Sequence, residues 1–122
     1  MVETAKALYK FFSGFGIPAY TTQTVPDDAE LPYITYSCNE PEWNIRTSMY
    51  AQVWYYTRSN TEVFKKADEI CAAIGPNGVK IPCDGGFVVI WPETPMQQLM
   101  VDGNTRCSTI NLTIGAYHMP GT

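Results

Sequence analysis

Residues 49–74 place an aromatic strand, a capped turn and an amphipathic helix in direct succession, and the rest of the chain has to pack around that unit. Met49, Ala51, Val53 and Tyr55 alternate with Tyr50, Gln52, Trp54 and Tyr56, which is the two-residue period of a β-strand. A strand with one wet face reads apolar-in, polar-out. Here both sets are largely apolar or aromatic, which predicts that each face of its sheet is covered by something.

The helix follows at once. Ser59 and Glu62 have the spacing of a capping box, and Asn60 is the other candidate N-cap. Val63, Ala67, Ile70 and Ile74 fall on one stripe with Phe64 and Cys71 beside it, while Lys65, Lys66, Asp68 and Glu69 point elsewhere. Gly75-Pro76-Asn77-Gly78 ends the helix, because glycine accepts a left-handed cap and proline cannot continue the ladder.

Upstream, residues 2–15 predict a first helix in which Ala5, Leu8, Tyr9 and Phe12 form the stripe and Phe11 and Phe15 widen it. Gly14, Gly16 and Pro18 stop it. Residues 17–22 are a short extended piece, residues 22–31 a polar loop, and residues 32–38 a strand. Residues 39–48 form a long connection carrying Trp43, Ile45 and Arg46. The apolar members of that connection either tuck under the fold or reach a neighbouring subunit.

Downstream, residues 79–82 predict a brief strand, and Asp84-Gly85-Gly86 a hairpin turn. Residues 87–91 form an unbroken apolar strand, consistent with burial on both faces. Residues 92–103 contain Pro92, Pro95, Asp102 and Gly103 and read as too broken for a regular element. In the last strand, residues 106–117, Ile110, Leu112 and Ile114 alternate with Thr109, Asn111 and Thr113. Strands and helices grouped in this way predict an α+β fold: a mostly antiparallel sheet of about four to five strands with two helices packed on one face. The aromatic residues of the other face then call for self-assembly.

At 122 residues the chain is one domain, 1–122. Charged residues make up 16% of it and hydrophobic residues 45%, with 8 Tyr and 3 Trp. Low charge with many rings fits two descriptions: surface that partners bury, or an ordinary well-packed domain. A formal net charge of −4 and the absence of any Lys/Arg cluster beyond Lys65-Lys66 argue against nucleic-acid binding. No apolar run reaches the ~20 residues of a membrane span. The N-terminal residues lack the order of a secretory signal, so an intracellular product is expected. Cys38, Cys71, Cys83 and Cys107 show no CxxC or Cys/His pairing, and reduced thiols are expected rather than zinc ligands or disulfides.

Catalytic chemistry finds little purchase. His118, the only histidine, stands in a Gly/Pro-flanked tail, where a general base is seldom held in reach of its proton. Asp27, Asp28 and Glu30 lack the spacing of a calcium loop and read as a solvated turn. Asp84-Gly85-Gly86 precedes a strand rather than a helix, so it is not a phosphate cradle. No catalytic residue, cofactor or metal site is assigned.

Several segments resemble a known family. They are Val25-Pro26-Asp27-Asp28-Ala29-Glu30-Leu31-Pro32-Tyr33 leading into a strand, and Trp54-Tyr55-Tyr56 before a capped helix. Most specific is Gly78-Val79-Lys80-Ile81-Pro82-Cys83-Asp84-Gly85-Gly86 entering an apolar strand that ends in Trp91. Pro95 to Gln98, then Asp102 and Arg106, complete the pattern. Together they resemble the small tail terminator, or tail completion, proteins of long-tailed bacteriophages, in particular those of Firmicutes phages and prophages. The chain departs from that pattern at Pro92-Glu93-Thr94, where a basic residue and a glycine are expected, and at Met96, where an aromatic is expected.

The resemblance implies a non-enzymatic virion protein with an α+β fold, helices on one face. Such proteins form a ring, usually of about six subunits, on the head-proximal end of the tail tube. The ring stops tube growth and offers a docking surface to the head connector. Partners would be further copies of itself, the tube protein and the connector. Candidate contacts are Trp43, Ile45 and Arg46 in the long connection, Met96, Gln97 and Leu99 in the late loop, Asp102 and Arg106 after it, and Trp54 and Tyr56 on the sheet face. Another head–tail joining component is the alternative of the same class. A small ligand-binding domain with an aromatic pocket is the alternative of a different one.

Overall fold

In the computed structural model, which describes residues 4–37 and 45–118, the aromatic strand lies at the middle of the sheet. As β3 (Arg46–Tyr56) it pairs antiparallel along its whole length with the last strand, β6 (Thr105–His118). The remaining elements are α1 (Thr4–Phe12), a 3-10 turn (Ser13–Phe15), β1 (Ala19–Thr21), β2 (Tyr33–Tyr36), α2 (Thr61–Ile74), β4 (Val79–Cys83) and β5 (Gly86–Asp102). They form a six-stranded sheet in the order β1-β2-β3-β6-β5-β4 with two α-helices, an α+β fold.

The sheet is larger than expected and it is mixed. β1 pairs parallel to β2, and every other neighbouring pair is antiparallel. The parallel pair follows from the 22–32 connection, which carries the chain back along the sheet so that β2 starts at the same end as β1.

A second correction concerns residues 92–103. They are not a broken loop: β5 continues to Asp102 and stays paired with β6. The register jumps from Pro92↔Leu112 to Gln97↔Ile110, a bulge that sets residues 93–96 against Asn111 alone. The prolines are tolerated because β4 pairs with β5 only as far as Ile90. Beyond that point β5 has an open edge, and a missing N–H costs no ladder bond there.

Cross-strand partners share a face, so the register separates two sides of the sheet. Ile34, Ala51, Val53, Val88, Ile90, Ile110, Leu112 and Ile114 all stand on one side and are buried. Both helices pack there. α2 lies against β3, β5 and β6 and buries Val63, Ala67, Ile70 and Ile74, the stripe read from its period. Asn60 is its N-cap residue, yet the Ser59 hydroxyl is the group that accepts a helical N–H, that of Thr61, at 3.2 Å.

The first helix is phased differently from its sequence reading. Thr4, Ala7, Leu8 and Phe12 are buried, whereas Ala5 is exposed and Tyr9 is 57% exposed. Docking decides the phase: Phe12 stacks on Tyr36 of β2 at 4.9 Å and 19°, which turns Tyr9 outward. α1 touches both edge strands, β1 and β4. The sheet therefore curls as a half-barrel around it.

The β4–β5 hairpin turns on Asp84-Gly85, with Gly85 at φ 83°. Gly86 next to it has φ 156°, and a β-carbon there would lie 1.9 Å from the Tyr117 carbonyl oxygen. Only glycine lets β5 start this close to β6.

Candidate functional site

The side of the sheet that faces away from both helices carries the outward set of every strand. Arg46, Ser48, Tyr50, Gln52, Trp54 and Tyr56 come from β3, and Thr109, Asn111, Thr113 and Tyr117 from β6. β5 adds Phe87, Val89 and Trp91, and β4 adds Lys80. The two side-chain sets of β3 thus divide into a helix-covered one, Met49, Ala51, Val53 and Tyr55, and an outer one over which no helix or strand of the described residues packs.

One end of this face holds a continuous row of rings and cations. Arg46, Gly115, Val89 and Lys80 lie in register across four strands. Gly115 has no side chain, and Trp91 and Tyr117 close over it: a β-carbon there would meet Trp91 Cζ3 at 3.1 Å and the Tyr117 ring at 3.0 Å. The Arg46 guanidinium rests 4.1 Å from the Trp91 centroid and the Lys80 ammonium 4.2 Å from that of Phe87. Between them Trp91 meets Tyr117 edge-on at 6.4 Å, and Tyr117 stacks on Phe87 at 5.2 Å. A cation over an aromatic face gains about 0.5–1 kcal/mol at an exposed site, so the two basic groups are held in place while their outer sides stay in water. Phe87, Trp91 and Tyr117 are all half-buried.

The middle of the face is polar and ordered. Trp54 Nε1 donates to Thr35 Oγ1 at 2.9 Å, and Gln52 Nε2 to Thr109 Oγ1 at 3.2 Å. Asn111 Nδ2 donates to the Pro95 carbonyl at 2.7 Å and ties the bulge down. Thr113 donates to the Glu93 carboxylate. These bonds fix rotamers across β2, β3, β5 and β6 and stiffen the surface.

The far end is apolar and open. Tyr56 is 69% exposed and Met100 56%. Trp54, Met100, Val101, Asp102, Thr105 and Cys107 line a shallow hollow of about 250 Å³. Cys107 itself is buried, and burial pushes its thiol up to about 11 against the opposing effect of a hydrogen bond with the Thr109 side chain. A thiol of that kind is not a nucleophile near neutrality. Among the described residues no group of three or more His, Cys, Asp and Glu side chains could hold a metal ion, and no helix is long and apolar enough to cross a membrane.

The contact residues expected from the sequence separate into two groups. Arg46, Trp54, Tyr56 and Asp102 stand on the outer face. Ile45 precedes Arg46 and is 52% exposed. Trp43 lies outside the described residues.

The others turn inward. Met96 and Leu99 pack against the core. Gln97 donates to Asp68 of α2 at 2.9 Å. Arg106 donates from Nε and Nη2 to the Thr57 and Arg58 carbonyls at 3.1 and 3.0 Å, which pins the turn between β3 and α2.

Phe87, Trp91, Tyr117 and Lys80 were missed. A signal for Tyr117 existed: the polar phase of the last strand, Thr109-Asn111-Thr113, reaches it two steps on. Phe87 and Trp91 were hidden inside an apolar run that reads alike on both faces. No protein-family model matches this sequence, and no curated protein matches it.

Proposed function

We propose that this chain is a non-enzymatic structural protein of a bacteriophage virion, a tail terminator that acts as a ring of its own copies on the head-proximal end of the tail tube. It would assemble in the bacterial host and join the tail neck. The resemblance of segments along nearly the whole sequence supports the family. The observation that carries the assembly reading is the outer sheet face, whose rings remain half-exposed or exposed after both helices have packed on the opposite side. Exposed aromatics with few charges are the composition of surfaces buried by partners. The mechanism is steric: one rim of the ring occupies the position of the next tube subunits and halts growth, and the other meets the connector. Another neck component is the alternative within this class.

A hollow of about 360 Å³ beside Tyr55 is otherwise lined by the charged side chains of Glu62, Lys65, Lys66 and Glu69, so an aromatic small-molecule pocket would use the hollow at Trp54. At about 250 Å³ it is below the ~300–1,000 Å³ of ordinary ligand pockets, and assembly is the better reading.

The test is the solution mass by light scattering over a concentration series, with electron microscopy of any large species. Closed rings of about six subunits are expected. A protein that stays monomeric throughout and also fails to bind the ends of purified tail tubes overturns the reading.

A further inference from the structure

The row from Arg46 to Lys80 has a chemistry that the rest of the chain complements. Both cations are exposed and are held over rings rather than paired with carboxylates. Among the described residues the ion pair joins Lys66 and Glu69 of α2, so neither Arg46 nor Lys80 takes part in one. Asp27, Asp28 and Glu30 in the β1–β2 connection are likewise exposed and outside any ion pair among the described residues. A turn closed by the Ala29 N–H on the Pro26 carbonyl at 3.0 Å presents the two aspartates together, beside an exposed proline.

The two surfaces sit at opposite margins of the strand order. The acidic turn joins β1 to β2 at one edge, and Lys80 belongs to β4 at the other. We propose that the Arg46–Lys80 row docks the acidic turn of a second copy of this chain, so that subunits join head to tail. An Arg guanidinium presents donors in a fork that matches a carboxylate, and Trp91 and Tyr117 offer ring surface to Pro26. Because the two surfaces differ, the contact is heterologous: a joined pair keeps one free row and one free acidic turn, and the chain of contacts closes as a ring or continues as a filament. The assignment deepens the ring reading above and rests on self-assembly.

The experiment uses two charge-reversed full-length proteins, Arg46→Glu with Lys80→Glu, and Asp27→Lys with Asp28→Lys and Glu30→Lys, at low salt. Alone, each sets like charges against like and should associate at least about tenfold more weakly than the parent protein. Mixed in equal amounts, acidic rows face basic turns and basic rows face acidic turns, and association should return. Parent association should also weaken as salt rises and screens the pairs. Circular dichroism melts check folding; if the row variant does not fold, the loop variant and the salt series decide.

Unchanged assembly of either folded variant, or no rescue on mixing, overturns the proposal. So does a strictly monomeric parent protein, which would leave the row to an acidic segment of another protein. Rings that survive both reversals overturn this contact alone. Rescue that yields only open chains upholds the contact and overturns the ring.

Discussion

Arg46 and Trp91 meet above a residue that has no side chain: the guanidinium stands 4.1 Å from the indole centroid, and Gly115, the register partner of Arg46, lies beneath the Trp91 ring. The outer patch therefore depends on one glycine as much as on its rings. Gly115→Ala places a methyl 3.0–3.1 Å from the Tyr117 and Trp91 rings, and both must shift. Overpacking of this kind costs about 1 kcal/mol or more. The expected outcome is a changed near-UV circular dichroism spectrum with a lower denaturation midpoint. An unchanged spectrum would show that the rings do not close over Gly115.

Gly86→Ala should be far worse. Its β-carbon would fall 1.9 Å from a backbone oxygen, and its φ of 156° disfavours any side chain. Backbone cannot swing aside as a ring can, so a loss above about 3 kcal/mol is expected. Urea denaturation measures it, and a loss under 1 kcal/mol would contradict the close approach of β5 to β6.

The two faces of the sheet should separate stability from assembly. Ile110 is fully buried, and Ile110→Ala should cost about 2–5 kcal/mol through lost contacts and a residual cavity. Tyr56 is 69% exposed, and Tyr56→Ser should move stability by no more than about 0.5 kcal/mol. The proposed function adds that Tyr56→Ser weakens self-association. Paired denaturation and light-scattering measurements distinguish the two effects.

Buried Cys107 sets an alkaline limit. Burial raises its thiol to about 11 in the folded protein, whereas an unfolded thiol titrates near 8.5. Between these values the unfolded chain gives up its proton first, so stability is complete below the lower value and falls as pH rises towards 11. The slope from this one group is at most about 1.4 kcal/mol per pH unit. Burial raises Cys71 and Tyr55 as well, which acts in the same direction. Cys107→Ala should flatten the decline in denaturation midpoint across this range. An identical decline in the variant would assign it elsewhere.

Local periodicity was legible wherever one face of an element is buried and the other is wet. The α2 stripe, the alternation of β6, the double-sided character of β3 and the hairpin at Gly85 can all be read from neighbours in sequence, because side-chain direction repeats with the backbone itself. The phase of α1 could not: with rings at positions 9, 11, 12 and 15 several stripes compete, and stacking of Phe12 on Tyr36 decides among them. The second half of β5 was hidden for the same kind of reason. Its prolines argue locally against a strand, and pairing with β6 on one side while the other edge stays open overrules them.

The sequence by itself determined an α+β chain with one strongly amphipathic helix and an aromatic surplus beyond what two helices cover. Only the tertiary structure decided which rings meet. Arg46, Lys80, Trp91 and Tyr117 come from four strands, and their meeting depends on strand order and on a glycine at position 115. Those are non-local facts: hydrogen-bond register between distant segments sets them, and no window of sequence contains both partners.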